Sequence, residues 1–365
     1  MEPILTSRPS CPIIFPFPGY LIRSTNAKKF HPNKIPINCI HVKTLGKNLE
    51  DWEKELRGKA KSYNIPLKEK DYTLRQAILL KVNISTANLK GADLKKVSIP
   101  GANFSGKDLT GINLFNSTLS GVNLHKANLQ NSNLEGVDFK GAYLKGRNLS
   151  TSDLSAANLS SANLKKANLT KAKLQHAVLK NADLTEAKLK KVDFSKADLT
   201  GADFSSSELN QANFSKAIIK DAKFHNADLR GADFSGVDLQ GIDLSGANLR
   251  KIDLSKKNLR KTNFSETDLR KTNLKDCDLR EAIFFKADLR GAFLNNSDLE
   301  GAYLSSAFLH GTILNRANLR NAVLRYVVDL TRDQIQSAYI DKLTKVPSYL
   351  EIIWVSEKNF QCKSK

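Results

Sequence analysis

The chain has 365 residues and a formal net charge of +20, with 57 Lys and Arg against 37 Asp and Glu. That surplus favours anionic partners such as nucleic acid, acidic lipid or acidic protein, and carries no information on fold. The four cysteines (Cys11, Cys39, Cys277, Cys362) form no C-x-x-C pair, which argues against a disulfide framework or a zinc site and for a reducing compartment.

Residues 1–46 are Pro-rich and basic, with Pro3, Pro9, Pro12, Pro16 and Pro18 inside the first twenty positions. No compact apolar stretch lies near the start, so the segment does not read as a secretory signal. No run of eighteen apolar residues predicts a membrane span. Within 47–71, Leu49, Trp52, Leu56 and Ala60 recur at helical spacing and predict an amphipathic helix that covers the first coil of the repeat region.

From Ile84 to Leu324 every fifth residue is Leu, Phe or Ile, 49 stops without a slip of phase. Leu74 and Leu79 extend the phase backwards, and the repeat region is set at 72–327. Two residues before each stop lies a small or branched residue, as at Ala87, Ala92, Val97 and Ser117. Between the two is most often Asp or Asn (Asp93, Asn103, Asp108), and Gly recurs two residues after the stop, as at Gly91 and Gly111.

A period of five fits neither regular element. On an α-helix, steps of five advance about 140° and leave no apolar face. On a straight strand an odd step sends successive leucines to opposite faces. A chain that turns a quarter circle every five residues points every large side chain at one axis. Asp, Asn and Gly suit the corners, the first two by bonding nearby backbone and glycine by tolerating positive φ. The expected fold class is an all-β solenoid, a quadrilateral β-helix of about twelve coils, roughly 58 Å long at an inter-strand spacing of ~4.8 Å, with short helical caps at both ends.

Units of the form A-(D/N)-(L/F)-x-x, in stretches such as GADLKKVSIPGANFSG and SAANLSSANLKKANLT, resemble the pentapeptide-repeat family. The resemblance implies right-handed coiling and four units per turn. It also brings with it an activity of that family, mimicry of duplex DNA by an acidic rod that acts on DNA gyrase. This chain departs from that pattern: residues 71–330 hold 38 Lys and Arg against 27 Asp and Glu. A cationic rod is repelled by a DNA-binding saddle. Delivery of bacterial family members into host cells is a second implication, which the N-terminal extension suits.

Beyond the repeats, Leu330–Ile335 reads as a short helix with Thr331 as N-cap and Gln334 three residues on. The segment 328–345 is similar to the closing segment of bacterial family members and is expected to be a helical C-terminal cap. The tail 346–365 has no legible pattern.

The six histidines show no H-E-x-x-H spacing, and no P-loop, G-x-S-x-G or G-x-G-x-x-G precedes a helix. The expectation is therefore a non-enzyme with no cofactor, metal or small-molecule substrate. Cys277 falls at a small inward position and reads as a buried structural thiol. Lys107, Arg147 and Lys257 break the small-residue rule and must each reach a partner or distort the coil.

Residues twenty apart should stack. Arg230, Arg250, Arg270 and Arg290 then form one stripe, with Lys251 and Lys271 beside it, and Arg260, Arg280 and Arg320 form an opposite one. The stripes read either as docking faces for an anionic partner or as solvated arginines paired with Asp228, Asp268 and Asp288. A second series replaces Asp or Asn by Ile283, Phe293, Tyr303, Phe308, Ile313 and Val323. It reads as a homodimer interface, a property the resemblance also implies, or as a surface covered by the chain after Val327. The functional expectation is an interaction scaffold, cytoplasmic or delivered to a host, with a protein partner. A nucleic-acid-binding rod and a self-associating structural rod are the alternatives.

Overall fold

Each five-residue unit is a short extended segment closed by a hydrogen-bonded turn. In the first described unit the amide of Ala92 donates to the carbonyl of Leu89 at 3.1 Å, and the third residue of that turn, Gly91, has φ +66°. Where the third residue is not glycine it still adopts φ near +58°, as at Lys166, or +54°, as at Asn181. The left-handed conformation costs a side chain of order 1 kcal/mol, so most corners are held by the coil and not by local preference.

The computed structural model describes residues 88–356 and 359–364. The Pro-rich extension 1–46 and the helical segment expected at 47–71 lie outside the described residues.

Except at residues 218, 233 and 238, one residue per unit, at the Asp or Asn position, forms a parallel bridge with the residue twenty positions on, from Asp93↔Asn113 to Phe308↔Val328. Four units therefore close one coil, and coils stack in register. The Leu, Phe and Ile of every described unit are essentially inaccessible, as are most of the small residues two positions earlier. The two series make one continuous core running along the axis.

Phenylalanines replace leucine in a run from Phe194 to Phe234. Rings twenty residues apart stack, with centroids at 5.1 Å for Phe204 and Phe224 and 5.0 Å for Phe214 and Phe234. Rings ten apart come from opposite faces and meet edge to face, at 6.0 Å for Phe204 and Phe214. Both geometries suit the ring quadrupole.

Threonine at the small position has a fixed acceptor. Thr262, Thr267, Thr272 and Thr312 each donate to the carbonyl 23 residues earlier at 2.8 Å. Their burial therefore leaves no hydroxyl unsatisfied.

After Val328 the register changes. Asn318 pairs with Tyr339 and Val323 with Lys345, spacings of 21 and 22 residues. The inserted residues accommodate helix α1, Arg332–Gln336, whose N-cap Thr331 forms a capping box with Gln334. Gln334 Nε2 also donates to the carbonyls of Leu309 (2.9 Å) and Thr312 (2.7 Å). Strands β1, Leu350–Trp354, and β2, Phe360–Ser364, form an antiparallel hairpin, with Trp354 against Phe360 at 5.6 Å. The hairpin packs β2 against α1. The tail that carried no legible pattern is thus a second layer of the closure, with Cys362 of β2 buried.

Candidate interaction surfaces

The outward residues of each coil come from the repeat: the Asp/Asn position on each flat face, and two corner residues after each large side chain. Stacking at twenty residues lines up Arg230, Arg250, Arg270 and Arg290 along one corner, as the sequence predicts, and Arg260, Arg280 and Arg320 along the opposite corner.

The sequence Asp-Leu-Arg sets what these arginines do. Leu turns inward, so Asp and Arg both point out on adjacent positions of one surface. The Asp carboxylate first accepts the amide two residues on, as Asp268 Oδ1 does from Arg270 N at 3.1 Å. The guanidinium then folds back onto the same carboxylate through two bonds. For Arg270 and Asp268 these are 2.8 and 2.6 Å; for Arg230 and Asp228, 2.8 and 2.7 Å. Arg290 closes on Asp288 and Arg280 on Asp278 in the same way. The Arg forks hold the carboxyls of Asp228, Asp268 and Asp278 below the ordinary carboxylate range, against the opposing effect of partial burial. Arg270 also lies 3.5 Å from Asp288 in the next coil.

Two arginines differ. Arg250 follows Asn248 and Arg320 follows Asn318, and neither forms an ion pair among the described residues. Lys251 and Lys271, exposed on the neighbouring line, form none either. The stripe is therefore uneven: three closed forks surround one open guanidinium with two ammonium groups beside it. Arg260 takes a partner the local spacing does not offer, Glu281, 21 residues on, at 2.5 Å. The coil register of twenty is the signal that finds it.

The apolar substitutions spread over three faces. Ile283, Tyr303 and Val323 stack on one, Phe293 and Ile313 on the opposite one, and Phe308 and Val328 on the face between. The chain after Val327 closes the end of the stack and leaves these side chains exposed, Tyr303 by 54%, with only Val323 half-buried. The two surfaces meet where the Arg290 guanidinium lies 5.9 Å from the Phe308 ring centre. Lys275 sits over Phe293 at 5.2 Å in the same way.

Lys107, Arg147 and Lys257, the charged residues at inward positions, stay half-buried. Arg147 Nη1 donates to the Leu124 carbonyl at 3.3 Å and Lys257 Nζ to the Phe234 carbonyl at 2.7 Å. These are the carbonyls 23 residues earlier, the same acceptors that threonine uses elsewhere. Burial lowers the pKa of the Lys107 ammonium. Cys277 also bonds 23 residues back, to the Leu254 carbonyl at 3.0 Å, and burial pushes its thiol up to about 11. Among the described residues no group of His, Cys, Asp and Glu could hold a metal ion. None of their helices is long and apolar enough to cross a membrane.

The family model for Pentapeptide repeats matches the chain in 8 copies, at residues 73–106, 108–146, 138–175, 167–206, 197–236, 207–246, 242–281 and 282–321. Among solved structures, the chain is similar to HetL, a pentapeptide repeat protein involved in heterocyst differentiation regulation from the cyanobacterium Nostoc sp. strain PCC 7120. Identity there is 28%, over 64% of this chain and 90% of that one, with a TM-score of 0.25. A pentapeptide repeat protein of the Arabidopsis thaliana thylakoid lumen is 28% identical over 31% of this chain and 77% of that one, TM-score 0.23. QnrB1, a plasmid-mediated fluoroquinolone resistance protein, is 20% identical over 58% of this chain and 90% of that one, TM-score 0.19. No curated protein matches.

Proposed function

The chain belongs to the pentapeptide-repeat family, and from that premise we propose that it is a non-catalytic scaffold binding an acidic protein partner through its solenoid faces. Members of the family fold as right-handed quadrilateral β-helices and are generally non-enzymatic. The observation that carries the reading is the open guanidinium of Arg250, beside Lys251 and Lys271, in a stripe whose other arginines are already closed on Asp. An unpaired fork accepts a carboxylate in a bidentate pair without first breaking an internal one. Arg230, Arg270 and Arg290 then serve as a positioned border, and Arg260, Arg280 and Arg320 form a weaker second line. A rod of about twelve coils, stabilised by nearest-neighbour stacking, presents such a line without hinging on any single contact.

A second reading, self-association through the C-terminal coils, is favoured by the exposed Ile283, Phe293, Tyr303, Phe308 and Ile313. It predicts a concentration-dependent dimer that Tyr303→Glu abolishes in sedimentation velocity.

Capture from bacterial and host-cell lysates, with and without nuclease, tests the first reading. The immobilised forms are the wild type, an Arg250/Lys251/Lys271→Glu variant and an Arg230/Arg270/Arg290→Glu variant. The expected result is a nuclease-resistant protein partner lost from the first variant and retained better by the second. Equal capture by all three overturns the stripe, and capture abolished by nuclease replaces a protein partner by nucleic acid.

A further inference from the structure

Coil stacking opens widest at one place. Between the coil that begins at Gly231 and the next, no backbone hydrogen bond joins Gly231 N to Arg250 O, Phe234 N to Asp253 O, Gly236 N to Ser255 O or Leu239 N to Asn258 O. One coil earlier the first three equivalents are present: Gln211 N to Arg230 O at 2.9 Å, Phe214 N to Asp233 O at 2.7 Å and Lys216 N to Ser235 O at 2.8 Å. The fourth, Ile219 N to Asp238 O, is absent, so the opening begins at Asp238. The bridges that pair 233 with 253 and 238 with 258 are missing, and so is 218 with 238. Asp238 is the one residue at its repeat position, among the described coils, that bridges neither neighbour. Bonding resumes at Gly241 N to Arg260 O, 2.9 Å, and continues through Leu249 N to Asp268 O. The two coils are thus joined along half their circumference and parted along the other half.

Lys257 bonds across this step. At the same inward position Thr267 and Thr272 reach the carbonyl 23 residues back with a short side chain that fits under a closed ladder. Lys257 reaches the equivalent acceptor, Phe234 O, at 2.7 Å with a longer side chain. The half-buried ammonium gains this acceptor where the ladder is open. Arg147 makes the equivalent contact with the bridges intact. There the backbone bonds from Gly121 N, Leu124 N, Lys126 N, Tyr143 N and Asn148 N are lost while the bridges 123–143 and 128–148 persist.

The coil beneath the gap is also the only described one with glycine at all four corners: Gly231, Gly236, Gly241 and Gly246. Those corners offer no Cβ to pack against the next coil and the widest backbone freedom. The small core residues beside the gap are correspondingly leakier, Ala232 at 7% and Val237 at 6% exposed, against 0% for Ala197 and Ala202.

We propose that this step is a hinge built into the solenoid, at which the coils after residue 250 tilt on those before 231 about the half that stays bonded. Arg230 lies on one side of it and Arg250 on the other, so tilting changes the spacing of the arginine stripe at that step alone. The hinge arises from the backbone and Lys257 and is independent of what the stripe binds.

Hydrogen exchange on the full chain tests it. The amides of Gly231, Phe234, Gly236, Leu239, Asp253 and Asn258 should exchange at least about tenfold faster than those of Gln211, Phe214 and Lys216. Lys257→Thr, which installs the side chain used at Thr267, should bring them to the slow rate and raise the thermal midpoint. Lys257→Ala should do the same without adding a hydroxyl. Wild-type amides at the gap as slow as those one coil earlier overturn the hinge. So do fast amides that neither substitution slows, since Lys257 would then not hold the coils apart.

Discussion

The position two residues before each large side chain decides how closely one coil lies on the next. Alanine fills it without polar demand, threonine adds a bond to the carbonyl 23 residues back, and lysine or arginine makes that bond where the ladder is open. Thr267→Val keeps the shape and removes the bond to Leu244 O, and should cost about 1 kcal/mol in denaturant unfolding. Cys277, buried and with its thiol raised to about 11, should resist alkylation in the native protein at pH 8 and react promptly once unfolded. The forked carboxylates give the pH dependence a definite sign. The Arg270 fork depresses the Asp268 carboxyl below its ordinary 3.8, so its contribution is complete above that value and lost as pH falls through the depressed one. A thermal midpoint flat from pH 5 to 8 and falling below about 4 is expected; a fall already at pH 6 contradicts that assignment.

At the scale of the element, the terminal closure turns on one glutamine. Gln334 completes the capping box of α1 and supplies donors to two carbonyls of the last coil. Gln334→Ala removes all three bonds and should destabilise the closure by about 1–2 kcal/mol. The measurement is faster exchange from Leu309 to Val328 with coils before residue 250 unchanged, because stability in a stacked array is local. This element was half legible in the sequence. Thr331 and Gln334 at capping-box spacing announced a helix start, and α1 begins where they place it. The helix nevertheless stops at Gln336, because Tyr339 and Lys345 are drawn into pairing with Asn318 and Val323. The hairpin after Pro347 could not be read, since its strands gain their meaning only by packing on α1.

Over the whole molecule, a period of five carried the architecture because it has one geometric solution that points every large residue at one axis. The same arithmetic placed the arginines in lines. It could not show that Asp228, Asp268 and Asp288 close three of the four, although the change from Asp to Asn at 248 was present to be read. Nor could it show that the inward Lys257 bonds between two parted coils, since that depends on where its ammonium finds an acceptor. Stripe, closure and hinge all rest on one relation, that a residue lies directly over the one twenty positions earlier. Spin labels at Lys96→Cys and Lys216→Cys, in a chain whose four native cysteines are replaced, measure it directly. These exposed corner positions lie six coils apart on one line, and a single distance near 29 Å is expected at ~4.8 Å per coil. A broad distribution, or a mean beyond about 40 Å, contradicts the twenty-residue coil and every surface derived from it.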